Sequence, residues 1–280
     1  MNQNSRKSGQ NETFFTRPLI IIYVTVFLDL VGFGIVIPLL PFYGETFEAS
    51  PFQVEMLFAV YSAMQFIFAP LLGNLSDKYG RRPVLFFSLI GSGIGYVFIG
   101  YASALWMVFA GRIIAGVTGG NISAAQAYIA DSTTIENRAK GMGLFGAMFG
   151  FGFIFGPAIG GILSRYGIHM PFLFAAVLTF ANALALYFFL PETLKDRVSK
   201  PTANTRRFSE LIAVFKNRQL ATIIVLYFLV VTAFSIMTAS FVLYTMFRFG
   251  YNAEQNGYIF AYVGTLAIVF QGMLFSRLAG

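Results

Sequence analysis

Eight apolar runs, each close to the length of a membrane span, are separated by short polar interruptions. They cover roughly residues 18–40, 54–74, 83–102, 104–130, 141–164, 170–190, 220–247 and 256–276. About 20 apolar residues cross the hydrocarbon core of a bilayer. Lipid offers backbone groups no partners, so each run is predicted to be helical. The pattern therefore predicts an all-α membrane protein. Residues 1–17 form a polar tail. The run behind it is too long for a signal-peptide core and no small-residue cleavage site follows, so it reads as a retained membrane helix. Residues 191–219 are the longest polar stretch and divide a six-helix bundle, 18–190, from two further helices in 220–280. Within that stretch, 208–216 fits either a short amphipathic helix on the membrane surface or a solvated linker.

Composition sharpens this reading. Hydrophobic residues make up 57% of the chain and charged residues 11%, against about 45–50% and about 25% in soluble domains. The 28 glycines suit close approach of membrane helices. There is no Cys, and His169 is the sole histidine. The sequence thus holds no disulfide framework and no constellation for metal or nucleophilic catalysis, and it is read as neither an enzyme nor a cofactor carrier.

The net charge of +7 raises the question of nucleic acid. The basic residues, however, sit at the ends of apolar runs rather than on one soluble face. With the N-terminus inside, sixteen of the 19 Lys and Arg fall on the cytoplasmic side, and only Arg165 and Arg248 on the other. This asymmetry predicts a cytoplasmic N-terminus.

Two charges interrupt the apolar runs. Asp29 sits in Phe27-Leu28-Asp29-Leu30-Val31-Gly32, ahead of Pro38 and Pro41. An acid at such depth faces a cavity or a partner. It suits a proton carrier, with a structural carboxylate bonded to a neighbouring helix as the other possibility. Arg112 is followed at i+4 and i+8 by Gly116 and Gly120, a spacing that puts the cation and a flat glycine track on one helical face. From the helical rise, Asp29 lies roughly 16 Å and Arg112 roughly 18 Å from the inner side of a core about 30 Å thick. Equal depth leaves the azimuth open, and pairing with it.

The second interruption reads Gly73-Asn74-Leu75-Ser76-Asp77-Lys78-Tyr79-Gly80-Arg81-Arg82-Pro83. Gly73 and Gly80 are expected to serve special backbone conformations or close approaches, and Pro83 the first turn of a helix. The fifth run contains Gly152, Gly156, Pro157, Gly160 and Gly161. Its glycines at i, i+4 and i+8 form a small-residue face, and Pro157 permits a kink.

The ordered pattern G-x-L-x-D-x-x-G-R-R-P resembles the signature loop between the second and third helices of the major facilitator superfamily. G-x-x-x-G-P-x-x-G-G resembles that superfamily's antiporter motif. Ala127-Tyr128-Ile129-Ala130-Asp131 and Leu190-Pro191-Glu192-Thr193 resemble the drug/proton antiporter branch, particularly bacterial tetracycline-efflux proteins. The resemblance implies a proton-coupled antiporter that exports small amphipathic compounds by alternating access, a monomer in the bacterial inner membrane. A proton gradient drives it, and no bound cofactor is implied. It also implies that Arg112 couples protons, alongside the proton-carrier role that burial suggests for Asp29. Gly73, Asp77, Gly80, Arg81, Arg82 and Asp131 form a conformational switch, with Arg81 engaging Asp131 and Asp77 helping to hold the two halves together. Gln65, Asn121 and Gln126 are candidate cavity contacts, each equally a candidate for a helix–helix hydrogen bond.

Two departures weigh against tetracycline itself. The group's third-helix aspartate falls at Gly95 and its eighth-helix histidine at Ala267. The superfamily has twelve helices, so eight runs read as a C-terminally incomplete sequence, and the 280 residues alone are not expected to perform coupled export. The alternatives are a symporter of the same fold, which the antiporter motif disfavours, and a non-transporting membrane protein or inactive fragment.

Overall fold

The computed structural model describes residues 15–193 and 217–278, which form nine α-helices and no strand. They are α1 (Arg17–Glu45), α2 (Pro51–Tyr79), α3 (Arg81–Gly100), α4 (Leu105–Val117), α5 (Asn121–Ser132), α6 (Ile135–Leu163), α7 (Met170–Phe189), α8 (Arg218–Phe249) and α9 (Ala253–Leu278). The tail through residue 14 and the amphipathic segment expected at 208–216 lie outside the described residues.

Local chemistry fixes the ends. Ser50 and Gln53 close a capping box on α2: Gln53 N donates to Ser50 Oγ and Ser50 N to Gln53 Oε1, so two otherwise unpaired donors are satisfied. Asn217 Oδ1 accepts the first amides of α8.

The fourth run departs from its expected form. It is one membrane-crossing segment, Leu105–Ser132, but helical continuity ends at Val117 and restarts at Asn121. The turn at Thr118-Gly119-Gly120 frees the Gly119 carbonyl, and Gln65 of α2 donates its Nε2 to it at 3.0 Å. A broken backbone at membrane depth needs such a partner. Arg112, Gly116 and Gly120 therefore do not lie on one continuous helix. Gly116 and Gly120 still both face α2, where a Cβ would meet the Tyr61 carbonyl at 2.6 Å and Leu72 Cβ at 2.5 Å respectively.

Seven helical segments among the described residues are long and apolar enough to cross a membrane. The eighth expected run is helical as α9.

Packing sorts the six-helix bundle into two apolar layers. One holds Leu19, Ile22, Val26, Leu30, Leu85, Leu89, Tyr128, Ile129 and Leu186; the other holds Val31, Ile35, Leu39, Leu57, Tyr96, Ile99, Val108 and Phe172. Along α1 the layers meet at Leu30–Val31, directly beside Asp29. The α4–α5 break falls at the same level. Large apolar side chains such as Phe66, Phe87, Trp106 and Phe188 point outward, as a lipid solvent allows.

α6 runs through the middle of the molecule. Gly152, Gly156 and Gly160 press against α1, and Gly161 presses against α9. A Cβ at Gly156 would stand 2.7 Å from Gly34 Cα and 2.8 Å from the Val31 carbonyl, so the two backbones touch with no side chain between them.

Candidate functional site

Asp29 is half-buried on α1, in a small pocket between α1, α3 and α5 that also involves Thr25, Leu85, Leu89, Asn121 and Ile122. Asn121 Nδ2 donates to Asp29 Oδ2 at 2.5 Å. Its other amide atom is already committed, because Asn121 Oδ1 accepts Ile122 N at 2.9 Å. The amide is thereby held with its N–H side toward the carboxylate. The break in the fourth segment places the N-terminal end of α5 here, where unpaired N–H groups carry partial positive charge. Asn121 thus contacts Asp29 in this structure rather than presenting itself as a free cavity residue.

Arg112 takes a different course. It is 2% exposed, donates Nε to the Leu57 carbonyl at 3.1 Å and stacks its guanidinium over Tyr61 at 4.2 Å and Phe58 at 6.0 Å from the ring centroids. Such stacking is worth about 2 kcal/mol or more when desolvated. The equal depth expected from the sequence does not hold: Asp29 lies level with Asn121, nine residues along the fourth segment from Arg112, and the two charges form no ion pair. The Arg112 guanidinium is covered by the Tyr61 ring instead.

Gln65 bonds the Gly119 carbonyl and also lies 3.4 Å from the Tyr61 hydroxyl, so it joins α2 to the break. Gln126 is exposed on α5 and does not join the Asp29 group. Of the three candidate cavity residues, two therefore act between helices.

The loop motif forms a second centre. Arg81 gathers three oxygens: Asp77 Oδ1 at 2.5 Å and Ser76 Oγ at 3.1 Å from α2, and Asp131 Oδ2 at 3.1 Å from the end of α5. A forked guanidinium can make these bonds together, where an ammonium is a single point charge. Gly80 joins α2 to α3 with φ 114°, a conformation that glycine adopts without strain. A Cβ there would also stand 2.3 Å from Glu192 Oε2. Gly73 has no such duty, since a Cβ on it would meet nothing within 4 Å. The expected close approach at Gly73 is absent because that residue lies within α2, on a face that no neighbour reaches.

In the sequence, Leu190-Pro191-Glu192-Thr193 is only a branch signature. In the structure the segment clasps the loop. The Glu192 carboxylate accepts Arg81 N at 3.0 Å and Arg82 N at 3.1 Å, capping the N-terminus of α3. Tyr128 donates its hydroxyl to the Pro191 carbonyl at 2.9 Å. Arg82 bonds the Tyr187 carbonyl and lies 5.3 Å from that residue's ring centroid. The ends of α2, α3, α5 and α7 are thus tied together. No linear spacing marks Glu192 for this task, because its partners are more than a hundred residues away.

The comparisons with known proteins agree with this architecture. The model of the Major Facilitator Superfamily matches residues 22–280, and the chain belongs to that family. It is a multi-pass membrane protein. It is 37% identical over 270 residues to the class H tetracycline resistance protein of Pasteurella multocida, covering 94% of this chain and 67% of that protein. It is 38% identical over 265 residues to the class B tetracycline resistance protein of Escherichia coli, covering 92% and 66%. The chain thus spans about two thirds of the length of these relatives. Among solved structures, the human organic anion transporter MFSD10 (TETRAN) matches with a TM-score of 0.70 at 26% identity, over 89% of this chain and 69% of that one. A bacterial homolog of the human lysosomal transporter Spinster matches in fold with a TM-score of 0.76 at 16% identity, over 95% and 64%.

Proposed function

We propose that the protein is a proton-coupled antiporter that exports small amphipathic compounds by alternating access. The observation that carries the proposal is the Asp29–Asn121 pair at the junction of the two apolar layers. A carboxyl there, reachable from a pocket and held by one directional donor, can bind a proton in one state of the carrier and release it in the other. Arg112, sealed under Tyr61, contributes a fixed positive charge nearby. The likeness to tetracycline resistance proteins supports an exporter rather than a symporter.

Tetracycline itself is not the proposed substrate. A Cβ at Gly95 would stand 2.7 Å from the Gly111 carbonyl and 3.0 Å from Ala115 Cβ. No aspartate fits at that position without parting α3 from α4. The substrate class is instead small, largely apolar or amphipathic compounds, without a bound cofactor and with the proton gradient as energy source.

The positive-inside asymmetry supports placing the N-terminus and the Arg81 centre in the cytoplasm of a bacterial inner membrane, with the carrier acting as a monomer. Asp77, Arg81, Arg82 and Asp131 serve as the conformational switch on that side. The Gly152–Gly161 series, with Pro157, serves as the surface along which α6 moves against α1.

Two measurements test this. Single cysteines introduced at Ala49 and Lys78 into the Cys-free background should label from outside at Ala49 only. Cells expressing the protein from its own gene should lose amphipathic dyes faster than controls, and a protonophore should abolish the difference. Labelling at Lys78 from outside, or efflux indifferent to the protonophore, would refute the corresponding half of the proposal.

A further inference from the structure

The contact between the six-helix bundle and the α8–α9 pair is tightest at one end. The residues of α8 and α9 described as buried all fall between Thr238 and Gly257, around the turn that joins the two helices. From Arg218 through Met237, α8 has no buried residue. At the packed end the backbones meet: a Cβ at Gly257 would stand 2.5 Å from the Pro157 carbonyl and 3.0 Å from Gly161 Cα. This end lies opposite Gly80 and the Arg81 centre, hence outward in the orientation proposed above.

One ion pair crosses the contact. Arg165, in the turn after α6, donates Nε to Glu254 Oε2 at 2.7 Å and Nη2 to Glu254 Oε1, a two-point fork. Nη2 also lies 3.4 Å from the Tyr258 hydroxyl. Glu254 opens α9 one turn ahead of Tyr258 and three residues before Gly257, so the fork sits at the rim of the glycine contact. Arg165 holds the Glu254 carboxyl below the usual glutamate range, and the pair stays charged at neutral pH. Neither residue belongs to the loop motif, the antiporter motif or the Asp29 group.

We propose that Arg165 and Glu254 form an outer latch, which favours the state closed toward the outside and must part before the central site opens outward. The inference rests on the alternating-access reading. The glycine contact is apolar and geometrically simple, so it can separate and re-form. The ion pair gives it a preferred closed register. Because Arg165 is largely exposed, the latch tunes an equilibrium rather than locking it: a surface pair of this kind shifts a population by about two- to fivefold.

The test uses the full chain in lipid nanodiscs, with spin labels on introduced cysteines. Tyr166→Cys with Asn252→Cys reads the outer end, and Lys78→Cys with Gln219→Cys the inner end. Glu254→Gln and Arg165→Glu should each raise the ratio of long to short outer distances two- to fivefold, with a matching shortening at the inner end. The charge swap Arg165→Glu with Glu254→Arg should return both distributions to those of the parent protein. If the parent interconverts but the single variants leave its distributions unchanged, or the swap fails to restore them, the latch is wrong and alternating access stands. If neither end shows a second distance with or without a proton gradient, alternating access falls and the latch with it.

Discussion

Asn121 Nδ2 lies 2.5 Å from Asp29 Oδ2, and it reaches the carboxylate because the fourth membrane segment breaks just ahead of it. A continuous helix would turn residue 121 onto another azimuth. The break, the amide and the acid therefore form one device. Asn121→Ala should leave the bundle folded and lower gradient-driven export about tenfold, the scale of one hydrogen bond to a charged group. Transport rates in vesicles, compared with the detergent-extracted melting temperature, separate the two effects. A variant that melts like the parent and exports like it would remove Asn121 from the mechanism.

Arg81 holds both Asp77 and Asp131, with its side chain only 12% exposed. Asp77→Asn weakens a contact at the motif loop, far along the helices from Asp29. Turnover should fall while equilibrium binding of an exported dye changes less than twofold. Arg81→Lys should resemble it, because an ammonium cannot reproduce the forked contact. Lost affinity with normal turnover would show that this centre belongs to binding.

Glu192 ties the end of the bundle to the first turn of α3. Glu192→Ala removes the acceptor for Arg81 N and Arg82 N, a capping loss on the scale of about 0.5–2 kcal/mol. The expected result is a lower melting temperature and faster amide exchange confined to the start of α3. Unchanged exchange there would mean that the cap contributes nothing.

Gly156→Ala tests the α1–α6 contact. Its new Cβ would lie within 2.8 Å of Gly34 and Val31 backbone atoms, so the helices must separate. Overpacking of this kind typically costs about 1–3 kcal/mol. Gly143, where a Cβ meets nothing within 4 Å, is the control: Gly143→Ala should be neutral or slightly stabilising. Equal melting of the two variants would contradict the packing described.

The membrane helices were legible in the chain because lipid imposes one requirement on every span. The glycine face of α6 was legible too, since spacing at i, i+4 and i+8 survives into the helix unchanged. The α4–α5 break was not. Gly116 and Gly120 fit a continuous face as well as a broken one, and what permits the break is Gln65, more than fifty residues away. Helical rise gave Asp29 and Arg112 equal depth, but Asn121, nine residues past Arg112, is what meets Asp29, so their relative level could not be read. Nor could their separation, because it depends on which neighbour each helix turns toward. Glu192 stood in a recognised signature, yet its role arises only where the end of α7 meets the start of α3.

The most direct measurement follows protons and substrate together. The protein expressed from its own gene is reconstituted into vesicles with a pH-sensitive dye inside, and an amphipathic fluorescent cation is added against an imposed proton gradient. Proton flux should rise when substrate is present, and substrate should accumulate against its gradient. In Asp29→Asn both should vanish, while downhill substrate movement persists. Uphill accumulation by Asp29→Asn equal to that of the parent protein, or export by the parent with no proton counterflow, would contradict coupling through Asp29.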